Sequence, residues 1–434
     1  MTPIPFLTLF LSTVAAPGPA RAAQEPSTRT KAFVGARLVP VTGPVIENGV
    51  LVVRDGVILH VGAVDDTPIP ASAEVRDVGG MVLIPGLVDT HSHVGNGWMG
   101  DGTEPILAQV RMLDALDARD AGIQRAQAGG ITTANVMPGS GNLMSGQTLY
   151  VKFRDGRTID DLLILDEEGT IAGGMKMANG TNSRRAAPFP ATRAKSAALV
   201  RERFLEAQAY RNKIAAGEEV ERDLALEAIV ELLEGKRVVH HHTHRHDDVL
   251  TVLRLAREFG FRVVLHHVSD AWKVAQEIAA AGVGSSIILV DSPGGKLEMQ
   301  DIRMSNGAAL EAAGAEVAFH TDDWITDSRH FLRLAGLAVR AGMSQQKALE
   351  ALTIAPARML DLDERIGSLE VGKDADFVLL DGDPLSAYTH VIETWVEGNR
   401  VFDRTDERDR LWAVGGRGAG QDWAPRCCGE GGTR

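Results

Sequence analysis

A chain of 434 residues with 44% hydrophobic composition is long enough for one large domain and a smaller companion. Its formal charge of -13, with no block of Lys or Arg, argues against nucleic acid or an anionic membrane surface as the main partner. The two cysteines, Cys427 and Cys428, are adjacent in a Gly-rich tail, which excludes a disulfide framework, a cysteine metal cluster and a cysteine nucleophile from the core.

Near the start, PFLTLFLSTVAAPGPARA is an apolar run followed by small residues, with Ala20 and Ala22 spaced as a cleavage signal. Pro17 and Pro19 break it too soon for a bilayer span. Residues 1–22 are therefore expected to be a cleaved export signal, giving a periplasmic or secreted product with no stable membrane insertion. No Lys or Arg precedes the apolar run, so a disordered tail is the competing reading.

KAFVGARLVP, GVLVVRDGVILHVGA and AEVRDVGGMVLIP are short β-type runs separated by Gly and Asp turns. A matching set returns late, as GSLEVGKDADFVLLDGD, HVIETWVEG and NRVFDRT. Neither set alone is large enough for a two-sided core. The expected organisation is one composite β-sandwich from residues 31–84 and 359–403. A larger domain would be inserted over 85–358, and a flexible tail would cover 404–434.

The middle alternates Val/Ile-rich runs with helical patterns. ILAQVRMLDALDARDAGIQRAQAG precedes ITTANVM, ERDLALEAIVELLEGK precedes RVVHHH, and DVLTVLRLAREFG precedes FRVVLHH. AWKVAQEIAAAG then precedes SSIILV, and MSNGAALEAAG precedes AEVAFH. This alternation predicts an α/β fold with a parallel sheet. A (β/α)8 TIM-like barrel is preferred to an open sheet, because the reactive residues fall at the C-terminal ends of several strands. Eight strands are reached if the less regular stretch 151–200 contributes.

VLIPGLVDTHSHVG places His91 and His93 two apart after an apolar run, so in extended backbone both rings reach one ion. KRVVHHHTHRHDD supplies His240, His241, His242, His244 and His246. Spacing favours His242 as the ligand, with His244 as a second-layer or substrate contact and Arg245 as a fork for a carboxylate. His240 lies deeper on the same face, and His241 points the other way. In FRVVLHHVSD one of His266 and His267 should face the mouth, and His267, the later, is preferred. AEVAFHTDDW ends in His320, Asp322 and Asp323; Asp322 is the expected base, able to touch both metal and water. Lys176, among glycines, reads either as a surface lysine or as a carbamate bridging two ions. Asn142 and Gln147 in NVMPGSGNLMSGQT, with Arg184, Arg185 and Arg193, are candidate substrate contacts, and Trp98 and Trp324 a candidate apolar wall.

Over residues 35–403 these motifs resemble the amidohydrolase superfamily, in its imidazolonepropionase-like and prolidase-like branch. PGLVDTHSHVG, the strand-end His242 and His267, and HTDD at 320–323 follow its order of HxH, His, His, Asp. The resemblance implies that His91 and His93 hold one metal and that His242 and His267 hold the second. It also implies that a carboxylated Lys176 bridges the two, and that Asp322 contacts the first and serves as general base. Imidazolonepropionases place an acidic residue three positions after the strand-five histidine, where this chain has Arg245. Prolidase-like members have HxHG where this chain has HTHR. Zinc is the expected ion on ligand type, with iron or manganese compatible and one or two ions open. The expected activity is hydrolysis of a C–N bond in a small amide, dipeptide or cyclic amide. An esterase or lactonase of the same superfamily is the alternative, and a non-catalytic periplasmic metal-binding protein a more distant one. A homodimer is the default expectation for a barrel of this size.

Overall fold

The computed structural model describes residues 29–95, 100–166, 168–288, 296–323 and 325–415. The expected export signal, Trp98, Trp324 and the cysteine-bearing tail lie outside the described residues. Among the described residues no helix is long and apolar enough to cross a membrane.

The first strands are β1 (Lys31–Leu38), β2 (Ile46–Arg54), β3 (Val57–Ala63), β4 (Glu74–Asp77) and β5 (Val82–Pro85). Gly86 separates β5 from β6 (Leu87–Ser92), the first strand of the catalytic body. That body continues with β7 (Ile131–Val136), β8 (Met144–Gln147), β9 (Leu149–Lys152) and β10 (Met175–Ala178). β11 (Val239–Thr243), β12 (Val263–His267), β13 (Gly284–Ile287) and β14 (Val317–Phe319) follow. The chain then returns through β15 (Phe377–Leu380), β16 (Val391–Val396) and β17 (Asn399–Asp403).

Strands from the two ends of the chain form one sheet in the order β17-β16-β15-β5-β1-β2-β3, with β4 paired to β1. The two expected sets of strands are thus hydrogen-bonded into one ladder, and it carries apolar residues on both faces. Phe33, Leu51, Val53, Phe377 and Leu379 pack into one cluster, and Ala32, Val50 and Val52 into another. Their neighbours Val378 and Leu380 join the core of the catalytic body. The period-2 alternation of a strand thus puts one face of this sheet against the body that holds the site.

In the catalytic body, β14-β13-β12-β11-β10-β8 form one sheet and β6-β7-β9 another. From β10 to β14 the pairing is parallel, as is that of β6 with β7. β8 and β9 are separated by Thr148 alone and run antiparallel to β10 and β7 respectively, so one extended segment links the two sheets. On the other side, Val88 N donates to Leu352 O and Phe319 N to Ala351 O, at 2.9 and 2.8 Å. The segment 351–352 therefore stands between β6 and β14.

The helices follow their caps. α1 (Ala121–Ala128) starts at Asp120, which accepts from Gly122 N. The helix expected from residue 106 is confined to this last third, because Ile106 and Arg111 bridge to Met144 and Gln147 as strand partners. α2 (Arg193–Ala215), α3 (Leu224–Leu233), α4 (His246–Phe259), α5 (Ala275–Ala281) and α6 (Asn306–Ala313) cover the parallel strands. α4 buries Val249, Val252, Leu253 and Phe259, and it stops at Gly260, whose φ of 77° is a left-handed cap. The tail expected from 404 instead begins with a helix, Glu407–Val414, capped by Asp406. Its Trp412 packs against the core of the catalytic body.

Candidate metal centre

The strand ends bring the nominated side chains to one place. His91 and His93 leave the end of β6 on the same side, with their Nε2 atoms 3.3 Å apart. Asp322, just past β14, sets Oδ1 2.9 Å from His93 Nε2 and 3.3 Å from His91 Nε2. Lys176, from β10, brings Nζ to 3.0 Å from His91 Nε2. It is fully buried, so the surface-lysine alternative does not hold. His242 and His244, from β11, meet His267, from β12, with ring centroids 4.2 and 5.0 Å from the His267 ring. Among the described residues, three groups of donor atoms lie close enough to share an ion: His91, His93 and Asp322; His242, His244 and His267; and His91, His267 and His320.

Two backbone features aim these groups. His267 has φ 70° and Asp322 φ 48°, left-handed conformations that cost most side chains about 1 kcal/mol or more. The break in alternation at His267 lets both consecutive imidazoles turn inward. His267 joins the ligand cluster, and His266 sits deeper, with Nε2 3.0 Å from His240 Nδ1. His240 in turn meets the Tyr150 hydroxyl at 2.7 Å. His241 faces outward, as alternation requires, into a cavity of about 490 Å³ that residues of α2 and α4 line.

Burial dominates the electrostatics. It pushes His240, His241, His244 and His320 down to about 3, and His91, His242, His266 and His267 well below the usual imidazole value. Those rings are neutral, the protonation state in which imidazole binds a metal. Burial brings the Lys176 ammonium to about 7 against the pull of Asp322. Asp322 itself would be raised by burial, but the His93 hydrogen bond, with His93, His320 and Lys176 nearby, holds it below the usual carboxylate range. Its side chain keeps 19% exposure, so it is the member of its group that opens to solvent.

A divalent ion fits this donor set on two observations. Buried ring nitrogens of His91, His242, His244 and His267 have no hydrogen-bond partner. His93 Nδ1 donates to Met137 O at 2.8 Å, which orients the ring and turns Nε2 toward Asp322.

The nominated substrate contacts are held differently. Arg245 grips Asp247 through both fork nitrogens, at 2.9 and 2.8 Å, and this pair occupies the fork expected for a substrate carboxylate. Arg193 binds Asp248 at 2.7 Å and reaches Glu298. Asn142 donates to Asp101 O and Glu104 O, and Gln147 to Ala108 O. Arg184 donates to Gly180 O and Arg185 to Gly141 O. All six brace loops or helix starts.

Sequence reasoning gives no role to two buried residues at the centre. Asp89 accepts from the Thr321 hydroxyl, from Thr321 N and from His91 N, tying β6 to the end of β14. His320 stacks on His91 with centroids 4.9 Å apart. Its signal is present in the sequence as the first residue of the HxD pair with Asp322, spaced like His91 and His93.

The chain matches the family model described as "Amidohydrolase family" over residues 82–402. The protein belongs to the amidohydrolase family. A solved amidohydrolase from Thermotoga maritima MSB8 superposes with TM-score 0.80 at 32% identity, covering 86% of this chain and 100% of that one. An imidazolonepropionase of Deinococcus deserti is 26% identical over 393 residues, 82% of this chain and 92% of the relative. "Amidohydrolase tasK" of Hapsidospora irregularis is 27% identical over 370 residues, 77% of this chain, and the chain spans only 38% of that longer relative. As an amidohydrolase of the imidazolonepropionase-like branch, the protein is a metal-dependent enzyme that hydrolyses carbon–nitrogen bonds.

Proposed function

We propose that this amidohydrolase cleaves the C–N bond of a small amide, dipeptide or cyclic amide, with Asp322 as general base and then general acid. The observation that carries the reading is the placement of Asp322. Its carboxylate is ionised, open to solvent and 2.9 Å from His93 Nε2 in a cluster of buried histidines. His91, His93 and Asp322 would hold one divalent ion, and His242 and His267 a second, with Lys176 as a carbamate shared between them. Zinc is the preferred ion for this imidazole and carboxylate set, and iron or manganese would also be accepted. Such an ion supplies a Lewis acid that lowers the pKa of water and polarises a carbonyl. Asp322 then takes the proton of the attacking water and returns it to the departing nitrogen.

The neutral imidazoles keep positive charge off the site, so the carboxylate is the proton acceptor there. Arg245 stands three positions after His242, where the imidazolonepropionase pattern has an acid, and Asp247 occupies its fork. That supports a substrate other than imidazolonepropionate. An ester or lactone would be attacked by the same groups and is the second reading. We also infer that the two catalytic sheets are arcs of one (β/α)8 barrel, supported by the 351–352 bridge between β6 and β14 and by the Thermotoga superposition. The boundaries 31–84, 85–358 and 359–403 describe its division into a composite β-domain and a barrel. Export by the leader 1–22, outside the described residues, is part of the proposal, and N-terminal sequencing of the mature protein tests it.

The decisive experiment is a panel of dipeptides, N-acyl amino acids, cyclic amides and matched esters, run with the native metal and after chelation. Chelator-sensitive amide cleavage restored by zinc or manganese is expected. Turnover of the esters alone would replace the C–N reading.

A further inference from the structure

Neither proposed ion assigns a role to His320, which lies fully buried against His91 and His267. His267 Nε2 is buried, has no hydrogen-bond partner, and stands 4.0 Å from Asp322 Oδ2. For that nitrogen to offer a lone pair, the ring proton must sit on Nδ1. The atom facing His267 Nδ1 is His320 Nε2, at 3.3 Å. His320 Nε2 must then accept, so the His320 proton is on Nδ1, and it donates to Ser286 Oγ at 2.8 Å. Ser286 Oγ is held in turn by its hydrogen bond with Thr90 Oγ1, 2.6 Å away. Reversing every bond leaves an N–H on His267 Nε2 aimed into the cluster, with the Asp322 oxygen out of hydrogen-bond reach at 4.0 Å.

We infer that His320 is a positioning residue which, held by Ser286 and Thr90, fixes the tautomer and ring orientation of His267, so that the ion at His242 and His267 meets a preformed nitrogen lone pair. The chain crosses three strands, with Thr90 on β6, Ser286 on β13 and His320 at the end of β14. Thr90, Ser286 and His320 are each 0% exposed. Water cannot replace the acceptor there, so an apolar residue at 320 leaves the Nδ1–H of His267 unpaired or turns the ring. The stack on His91 clamps the His320 ring from the side, which keeps Nε2 aimed at His267. This inference rests on metal binding by the cluster and not on the hydrolytic reading, so the two can fail separately.

The test is a titration of chelator-stripped full-length protein with Zn²⁺ against a chromophoric competitor, without substrate. It compares wild type with His320→Leu, His320→Gln and Ser286→Ala. His320→Leu is expected to weaken one bound ion by roughly 10- to 100-fold, the range seen when a ligand's outer partner is lost. His320→Gln should stay within about threefold of wild type, because its side-chain carbonyl can accept from His267 Nδ1. Wild-type affinity in His320→Leu would overturn the inference. So would a His320→Gln as weak as His320→Leu, since the imidazole would then itself be a ligand. If thermal unfolding of the stripped protein shows that His320→Leu does not fold, Ser286→Ala decides. A several-fold loss of affinity supports the chain of hydrogen bonds, and an unchanged affinity overturns it.

Discussion

Asp322 combines the two properties a proton shuttle needs, an ionised carboxylate and access to solvent, and the backbone is bent to place it. Its φ of 48° is anchored by its own N–H, which donates to His91 O at 2.9 Å. Aspartate tolerates this conformation better than most residues, so the geometry should survive substitution by asparagine, which tolerates it as well. Asp322→Asn is therefore expected to lower kcat by roughly 10²- to 10⁴-fold, the contribution of a positioned general base. Metal analysis should still find bound ion, and near-wild-type turnover would remove Asp322 from the chemistry. Lys176 makes a second residue-scale prediction. Burial brings its ammonium to about 7, so a neutral amine is populated near neutrality and can add to carbon dioxide, forming an N–C bond and releasing a proton. Protein equilibrated with ¹³C-bicarbonate should show a carbamate resonance that disappears in Lys176→Arg. A spectrum without that resonance in the metal-loaded wild type would leave the site without its proposed bridge. That these side chains meet was legible because strand alternation and strand-end position are written directly in the sequence. The role of His320 was not, since a histidine two positions before an aspartate carries the same signal whether it binds, braces or only packs.

At the scale of elements, the site depends on how closely β10 and β11 approach. Gly174, just before β10, has room only for a hydrogen: a Cβ there would lie 2.4 Å from Val238 O and 2.5 Å from His240 Cδ2. His240 cannot give way freely, because Tyr150 and His266 hold it from either side. Gly174→Ala should therefore cost about 1–3 kcal/mol, as overpacking of a close-packed interior does. Urea denaturation of the metal-free protein measures it, and an unchanged midpoint would mean that the strands can part without loss. The parallel strands and their following helices were readable from Val/Ile runs and apolar periodicity. The helix expected from residue 106 was not correctly readable. Its residues have helical spacing, but Ile106 and Arg111 find strand partners in Met144 and Gln147, and tertiary pairing overrides local propensity. α2 failed in the opposite sense. Its buried face is only Ser196, Val200, Phe204, Ala207 and Tyr210 among many charges, too faint a stripe to announce 23 residues of helix.

For the whole molecule, the terminal sheet and the catalytic body are joined by a buried knot of charge. Lys152, at the end of β9, contacts Asp374 at 2.5 Å, Asp376 at 3.1 Å and Glu397 at 3.2 Å, and Arg154 grips Glu397 with two bonds of 2.7 Å. Lys152 is 1% exposed, and its acidic partners flank β15 and β16. Removing it leaves Asp376 without a cation and leaves Glu397 and Asp374 to Arg154 and Arg365, so Lys152→Met is expected to destabilise the fold by about 3–5 kcal/mol, as breaking a buried ion pair from one side does. The same knot sets a signed pH response. Burial alone would raise Glu397, but Lys152 and Arg154 outweigh it and hold the carboxyl at about 2, against an ordinary 4.5. A depressed acid contributes stability that is complete above 4.5 and is lost as pH falls toward 2. Asp376 has the opposite sign. Burial raises it to about 6 from an ordinary 3.8, so its contribution is complete below 3.8 and falls as pH rises through 6. Comparing urea midpoints of wild type and Glu397→Gln across pH 2 to 7 isolates the first effect. Wild type should lose its advantage over Glu397→Gln progressively between 4.5 and 2. A constant difference over that window would mean that Glu397 is not held ionised, and that its pairs with Lys152 and Arg154 do not help join the sheet to the catalytic body.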